Sequence, residues 1–126
     1  MFEFLEKCWF LYGKHIGKHY VGFKRYHTKG SFASVTFNWK KAFNSNLLGW
    51  SHTHPDGIDI YPSDRDDNTM KAWVIAMGRS LLCDIANDRG KHNCWIYERV
   101  TSLKKDYIIN KRPIKLIYFG PFFIII

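Results

Sequence analysis

Two histidines separated by a single residue, His52 and His54, are the side chains in this sequence best suited to hold a metal ion. If they lie on a β-strand, residues i and i+2 project from the same face with Cα atoms roughly 6.5–7 Å apart. Imidazole rings at that spacing can converge on one ion, with Zn–N distances of about 2.0–2.1 Å. Asp66, in the first turn of a predicted helix, is well placed to supply a carboxylate as the third ligand.

A site of two neutral imidazoles and one carboxylate has the composition of a catalytic zinc centre. Three protein ligands leave the fourth position for water, whose pKa falls to about 7. Such a water needs a carboxylate that takes its proton without binding the metal, and a donor such as a serine hydroxyl can stabilise a developing oxyanion. Taken singly, the same residues have simpler explanations, because an H-x-H can be two surface residues and Ser63-x-x-Asp66 a helix cap.

The elements that must position these side chains are predicted from hydrophobic periodicity. Met70, Trp73, Val74 and Met77 fall at i, i+3, i+4 and i+7, which indicates a helix after Pro62, and a C-terminal cap is predicted at Gly78. A break is predicted at residues 111–113, where a proline follows two basic residues. Compact or alternating apolar runs predict strands at residues 7–13, 19–26, 31–39, 47–53, 79–87, 93–100 and 114–119.

This order of strands around a helix predicts an α/β (α+β) fold with a sheet layer. The 126 residues, 46% of them hydrophobic, predict a single domain spanning residues 1–126. The formal net charge of +8 favours acidic partners such as nucleic acid, an anionic membrane or an acidic protein surface. The basic residues are scattered, however, and no basic patch interleaved with aromatic residues indicates nucleic-acid binding.

The cysteines and the apolar C-terminus bear on the compartment. Cys8, Cys83 and Cys94 form no C-x-x-C pair, and no secretory signal opens the chain, which predicts reduced thiols and a cytoplasmic location. The run LIYFGPFFIII has eleven residues, fewer than the ~20 that span a bilayer, so no membrane span is predicted. This run is expected to pack either against its own sheet or against a partner protein.

Several of these residues together resemble a known motif. His52-Thr53-His54-Pro55 followed by Pro62-Ser63-x-x-Asp66 resembles the JAMM motif, H-x-H-P with a following S-x-x-D, of the JAB/MPN metalloprotease family. Members of that family carry a glutamate upstream, at the start of a short apolar strand that ends in a glycine. Glu6 and the run that follows it to Gly13 look like that element.

The resemblance implies a role for each of five residues. His52, His54 and Asp66 would bind one zinc ion per chain, Glu6 would act as the catalytic acid and base, and Ser63 would stabilise the tetrahedral intermediate. The implied fold is a mixed β-sheet with flanking helices, similar to MPN and cytidine-deaminase-like domains. The implied activity is hydrolysis of a peptide or isopeptide bond, with the tail of ubiquitin or a ubiquitin-like modifier among the expected protein substrates.

Alternatives remain open at this stage. The loop between the second histidine and Ser63 is one residue longer than is usual in the family, which leaves Asp67 as the alternative to Asp66. Glu3 is the alternative to Glu6, and only five residues precede Glu6 where the family normally has a helix. A catalytically inactive MPN scaffold that binds proteins is a second candidate function, and a nucleic-acid-binding module associated with DNA repair is a third.

Overall fold

The structure, a computed structural model, describes residues 7–29, 46–54, 59–87, 89–101 and 107–125. Most of these residues belong to strands. The elements, in chain order, are β1 (Lys7–Ile16), β2 (His19–Lys29), β3 (Leu47–Thr53), α1 (Asp64–Met77), β4 (Leu81–Ala86), β5 (His92–Thr101), β6 (Tyr107–Ile114), β7 (Leu116–Phe119) and β8 (Phe122–Ile125).

The eight strands form one sheet in the order β6-β5-β4-β3-β1-β2-β8-β7. Neighbouring strands are antiparallel except for β3 and β4, which are parallel. Parallel neighbours need a long crossover connection, and α1 is part of the chain that joins β3 to β4. β3 therefore lies inside the sheet, between β1 and β4, with the start of the helix following closely in the chain.

The predicted helix is present and is capped at both ends. Ser63 is the N-cap, and its side chain accepts a hydrogen bond from the backbone N–H of Asp66. Gly78 closes the C-terminus with φ of 68°, a left-handed conformation that glycine adopts without steric cost. Met70, Val74 and Met77, three of the four residues of the predicted apolar face, are buried. Local capping and a narrow apolar stripe therefore explain why this segment is helical.

Each face of the sheet has its own core cluster. On the face covered by α1, the helix residues Met70, Val74 and Met77 pack with Trp50 of β3. Because successive strand residues point to opposite faces, alternating positions of β4 divide between the two clusters. Cys83 and Ile85 belong to the helix side, while Leu82 packs with Leu11, Leu116, Phe123 and Ile125 on the other side.

The C-terminal run forms a β-hairpin that covers this second face. Gly120, with φ of 62°, lies in the turn between β7 and β8, and β8 pairs with β2. The hydroxyl of Tyr118 on β7 donates a hydrogen bond to Asp84 on β4, although these strands are far apart in the sheet order. The sheet therefore curls on itself. Of the two uses expected for the apolar C-terminus, packing against its own sheet is the one observed.

The prediction of an α/β fold with helices flanking a mixed sheet, similar to MPN or cytidine-deaminase-like domains, is wrong. The described residues contain eight strands and a single helix, so the fold is mainly β. In the predicted layout, helices would cover the sheet. Here one face is covered by α1, while the other is covered by the β7–β8 hairpin, whose apolar residues are strand residues. The short apolar runs after Pro113 thus add to the sheet.

The break predicted at residues 111–113 is also wrong, because these residues lie within β6. Pro113 lies on β6, an edge strand of the described sheet, and pairs with Trp95 of β5. A missing backbone N–H is tolerated on an edge strand. The strand predicted at residues 114–119 is divided at Lys115 between β6 and β7. The strand predicted at residues 31–39 lies outside the described residues. Within the described ranges, no helix has the length and apolar character to cross a bilayer.

Candidate metal centre

The two histidines of the H-x-H lie at the C-terminal end of β3, and both are buried. His52 is completely buried, and His54, the residue that follows β3, is 6% exposed. β3 is held on both sides, because His52 pairs with Cys8 of β1 and with Ile85 of β4. A histidine pair fixed in the middle of a sheet cannot be explained as two surface residues, which was the simpler explanation of the motif.

The first turn of α1 brings Asp66 to these histidines. The backbone N–H of Ser63 donates to Oδ2 of Asp66 at 3.0 Å, and the N–H of Asp66 donates to Oγ of Ser63 at 3.1 Å. This capping box fixes the orientation of the Asp66 carboxyl, which is 5% exposed. The same Ser63-x-x-Asp66 pattern therefore caps the helix and directs Asp66 towards β3.

His52, His54 and Asp66 form a compact buried cluster. Nε2 of His52 lies 3.2 Å from Oδ1 of Asp66, and Nε2 of His54 lies 3.1 Å from Oδ2. The three candidate ligand atoms all lie within 4.8 Å of one another. Two ligands bound tetrahedrally at about 2.05 Å are themselves separated by about 3.3 Å, so the observed spacing fits a shared ion. This group could hold a metal ion.

The electrostatics of the cluster keep Asp66 in the form that binds metals. Burial raises the pKa of the Asp66 carboxyl, but hydrogen bonds with His52 and His54 outweigh it and leave the pKa well below its ordinary value. The carboxyl is therefore ionised at neutral pH. A carboxylate with two imidazoles is a donor set suited to zinc and to several transition metals.

His54 also has an outer contact of the kind that orients metal-binding histidines. Its Nδ1 lies 3.0 Å from the backbone carbonyl oxygen of Asp59. When Nδ1 donates its hydrogen to this carbonyl, Nε2 is the ring nitrogen that faces the cluster: it donates to Asp66 while it carries a proton and can bind a metal once that proton is lost. A ring held in this way binds a metal through Nε2, the atom that lies beside Asp66.

Asp67, the alternative ligand, is directed elsewhere. Its carboxylate accepts hydrogen bonds from the hydroxyl of Tyr97 and from Nζ of Lys111, the latter at 2.9 and 3.0 Å. These partners lie on β5 and β6, away from the two histidines. Among the described residues, Asp66 is therefore the carboxylate that joins His52 and His54.

Glu6 and its alternative Glu3 lie outside the described residues, as does Pro55. The residue after Glu6 is described: Lys7 begins β1 and its backbone N–H donates to Oγ1 of Thr53 at 2.9 Å. Thr53 is the residue between the two histidines. The start of β1 therefore lies beside the H-x-H.

Two aromatic residues near the motif, Trp50 and Tyr61, differ in their surroundings. Trp50 is 1% exposed and packs against Trp73 with ring centroids 5.2 Å apart, so it is a core residue. Tyr61 is 63% exposed and lies with its ring 5.5 Å from that of Trp95. Only Tyr61 of this pair is therefore open to a ligand.

The sequence analysis missed a second polar cluster, centred on Asp84 on the opposite face of the sheet. Asp84 is completely buried and interacts with Ser51, His92 and Tyr118. The signal was present in the strand LLCDIA, where an acidic residue interrupts an otherwise apolar run. A buried carboxylate of this kind needs hydrogen-bond partners, and their identity depends on how the sheet folds.

The cluster on the helix side thus has the donors, the burial and the outer contact expected of a metal centre. Its identification rests on this geometry and on the motif. Comparison of the chain with the models of known protein families gives no match, and comparison with curated proteins gives none either.

Proposed function

We propose that this chain is a zinc-dependent metallopeptidase of the JAMM type, which hydrolyses a peptide or isopeptide bond. The observation that supports it most directly is the convergence of two imidazole nitrogens and one carboxylate, buried and within 4.8 Å of one another. The proposal depends on this site and on the motif, and not on the overall architecture. It includes one zinc ion per chain.

The donor set and the motif together support zinc as the metal. His52, His54 and Asp66 supply two nitrogens and one oxygen, which is the ligand composition of catalytic zinc sites with three protein ligands. Among the described residues, the cysteines are buried in the cores and are not part of the cluster, so a closed thiolate site is not supported. Zinc bound here would polarise a substrate carbonyl and lower the pKa of water.

Proton transfer is assigned to Glu6. Hydrolysis needs a group that removes a proton from the attacking water and delivers it to the leaving amine. The family resemblance gives this role to Glu6, and the position of its neighbour Lys7 beside Thr53 supports the assignment. Glu6 precedes β1, whereas the proposed ligands belong to β3, the residue that follows it and α1, so a separate part of the chain is assigned the proton transfer.

Stabilisation of the oxyanion is assigned to Ser63. The Ser63 oxygen accepts a hydrogen bond from the backbone N–H of Asp66, and a hydroxyl that accepts still has its own hydrogen to donate. Ser63 is exposed, whereas the neighbouring Asp66 is buried. A hydroxyl fixed by the capping box and open to solvent is suited to donate to a substrate oxygen as negative charge develops.

The substrate class follows from the resemblance and from accessibility. A protein tail reaching the site must be extended, because the ligands lie within the fold while Ser63 and Tyr61 at its rim are exposed. Flexible C-terminal tails of ubiquitin-like modifiers have this character. Both a peptide bond and an isopeptide bond satisfy the chemistry, and the test below includes both.

The first experiment is zinc per chain by elemental analysis, on the parent and on a His52→Ala/His54→Ala double variant. We expect close to one zinc in the parent and none in the variant. Unfolding curves of both proteins in the presence of a chelator would show whether the variant is folded. A parent that binds no zinc after reconstitution would contradict the proposal.

Cleavage is then tested with two substrates that present the same tail. One carries the tail linked through a peptide bond and the other through the ε-amine of lysine. Turnover of either substrate that requires zinc supports the proposal. A zinc-loaded parent that cleaves neither, while binding the tail, would favour the non-catalytic scaffold.

A further inference from the structure

The Asp84 cluster contains a buried carboxylate that is fully provided with donors. Oδ2 of Asp84 accepts from Oγ of Ser51 at 2.8 Å and from the hydroxyl of Tyr118 at 2.8 Å. Oδ1 lies 3.0 Å from Nδ1 of His92. Three donors on one buried carboxylate make a rigid assembly. Loss of any one would leave the carboxylate short of a hydrogen bond in the low-dielectric interior, which is costly. The position of the His92 ring is therefore fixed.

The other nitrogen of His92 is directed towards a cavity. Because Nδ1 contacts Asp84, Nε2 on the opposite side of the ring points away from the carboxylate. The His92 side chain is 24% exposed and lines a cavity of about 720 Å³ beside the N-terminal end of β5. Lys115, which is exposed, and Trp95 also line this cavity. The cavity thus combines an apolar wall with two nitrogen groups.

The charge of these groups selects an anion. The hydrogen bond with Asp84 raises the pKa of His92, an effect that outweighs its partial burial and the positive charge of Lys24. When His92 is protonated, which its contact with Asp84 favours, both ring nitrogens donate and Nε2 offers an N–H to the cavity. The ammonium group of Lys115 adds positive charge at the cavity, whereas the carboxylate of Asp84 is completely buried and faces Ser51, Tyr118 and Nδ1 of His92.

A catalytic cysteine in this cavity is the competing explanation, because Cys94 also lines it and lies two residues from His92. Burial raises the pKa of the Cys94 thiol well above its ordinary value, and the nearby negative charge of Asp84 raises it further. The thiol is therefore protonated at neutral pH, and a protonated thiol is a poor nucleophile. The cavity is better suited to binding than to cysteine chemistry.

The cavity adjoins the metal centre through one loop. His52 pairs with Ile85, and Ile85 pairs with Asn93, so His52 and Asn93 occupy one row of the sheet. Two strand spacings separate them, which is roughly 10 Å. The backbone oxygen of Asp59 contacts His54, and that of the next residue, Ile60, accepts a hydrogen bond from Asn93. The loop thus contacts both the metal centre and the strand that lines the cavity.

We propose that this cavity is a carboxylate-binding subsite, in which His92 and Lys115 hold an acidic side chain or the terminal carboxylate of a peptide ligand. Its place in catalysis rests on the function proposed above. His92 lies on the face of the sheet opposite His52, so a peptide that occupies both sites must pass the loop that contains Asp59 and Ile60. Ile114 and Leu116, which line the cavity and belong to the core cluster on the face of the sheet that His92 occupies, would bury the stem of the same residue.

Direct binding tests the subsite without any need for turnover. The probes are N-acetylglutamate α-amide, which offers a side-chain carboxylate, and N-acetylglycine, which offers a terminal one, with N-acetylglutamine amide as the neutral control. The His92 imidazole signals are followed by NMR on the full chain, with zinc and after its removal by a chelator. We expect a saturable shift with a carboxylate probe in both forms, and at least tenfold weaker binding of the neutral probe. Equal affinity for the neutral probe would overturn the proposal.

The matched variants are His92→Asn and Lys115→Met. An asparagine amide can donate to Asp84 from a position close to Nδ1, but it has no group at the position of Nε2. We therefore expect His92→Asn to fold, as judged by its thermal midpoint, and to bind the carboxylate probe at least tenfold more weakly. Binding by His92→Asn is followed through the backbone amide signal of Asn93. Lys115→Met should weaken binding about threefold and preserve the fold. Unchanged affinity in His92→Asn would contradict the assignment.

Kinetics separate this proposal from the proposed function. Peptides with Glu or Gln at successive positions on either side of the cleaved bond are compared, in the parent and in His92→Asn. We expect a lower KM for the Glu peptide in the parent and a loss of that preference in the variant, with kcat little changed. If no peptide is cleaved but the carboxylate probes still bind, the metallopeptidase proposal fails and the subsite stands. If peptides are cleaved without any Glu preference and the probes do not bind, the subsite proposal fails and the metallopeptidase proposal stands.

Discussion

Ser51 and His52 are neighbours on β3, yet their side chains serve two different polar clusters on opposite faces of the sheet. Oγ of Ser51 donates to Asp84 at 2.8 Å, while Nε2 of His52 lies 3.2 Å from Oδ1 of Asp66. The alternation of strand side chains produces this division. A single strand thus contributes to the metal centre on one side and to the assembly that fixes His92 on the other.

Replacement of Asp66 by asparagine should remove the charged ligand of the centre. We expect zinc affinity to fall by more than about 100-fold, because changes to outer contacts alone typically cost 10–100-fold. Asp67→Asn is the matched control, since Asp67 bonds to Tyr97 and Lys111 instead. That control should lose about 1 kcal/mol of stability but retain its zinc. Zinc titration against a competing chelator measures both, and equal loss in the two variants would argue against Asp66 as ligand.

Glu6→Gln should separate metal binding from turnover. The change removes a proton acceptor without altering a proposed ligand, so zinc content and the unfolding midpoint should match those of the parent. The rate of hydrolysis should fall by about 10²–10⁴-fold, the range for loss of a general acid or base. Glu3→Gln provides the control and should retain activity. If Glu3→Gln loses activity and Glu6→Gln does not, the two assignments must be exchanged.

Substitutions of Ser63 can distinguish its role as the helix N-cap from the proposed role of its hydroxyl in turnover. Ser63→Ala removes both, so the free energy of unfolding should fall by about 1 kcal/mol and turnover should also decrease. Ser63→Asn supplies another good N-cap side chain but no hydroxyl, so it should restore stability without restoring turnover. Urea unfolding and hydrolysis rates are measured on both variants. Recovery of full activity in Ser63→Asn would show that Ser63 acts only through the helix.

The contact between His92 and Asp84 predicts a pH dependence of stability. The pKa of His92 is raised in the folded state, chiefly by its hydrogen bond to Asp84, above the ordinary value of about 6.5. The protonated form is thus favoured by folding, and its contribution to stability is complete below about pH 6.5 and is lost as pH rises through the folded-state pKa.

The comparison between the parent and His92→Asn isolates this contribution. The variant lacks the titrating ring, so the stability difference between the two proteins should favour the parent most below about pH 6.5 and should shrink at higher pH. Urea unfolding of metal-free protein between pH 5.5 and 9 measures this difference, in which proton binding by the other cluster cancels because it is common to both proteins. A difference that is constant with pH would contradict the prediction.

Local patterns in the sequence were sufficient to predict α1, β3 and the candidate metal cluster. The boundaries of β3 match the prediction, and Met70, Val74 and Met77 lie on the buried face of the helix. These features depend on residues close together in the chain: the H-x-H spacing, the capping box and the apolar stripe. All three candidate ligands fall within the same short segment, so the cluster could be inferred without knowledge of the fold.

Such local patterns could not predict contacts between segments that are distant in the chain. The hairpin of β7 and β8 packs Phe123 against Leu11 and Leu82, and nothing in the apolar run LIYFGPFFIII specifies that partner. The same holds for Tyr118, whose hydroxyl reaches Asp84 only because the sheet curls. The error in fold class has this origin, since the curl supplies a cover for the second face that the sequence analysis assigned to helices.

The basic residues of β6 have a consequence for association between copies of the chain. Among the described residues β6 pairs on one side only, and the other side of such an outer strand is where a strand of another molecule can pair. Arg112 is largely exposed, and the neighbouring Pro113 has no N–H to donate to an incoming strand. Positive charge and proline on an outer strand oppose edge-to-edge aggregation. Arg112 and Pro113 therefore protect this part of the outer edge, whereas the ammonium group of Lys111 is directed to Asp67.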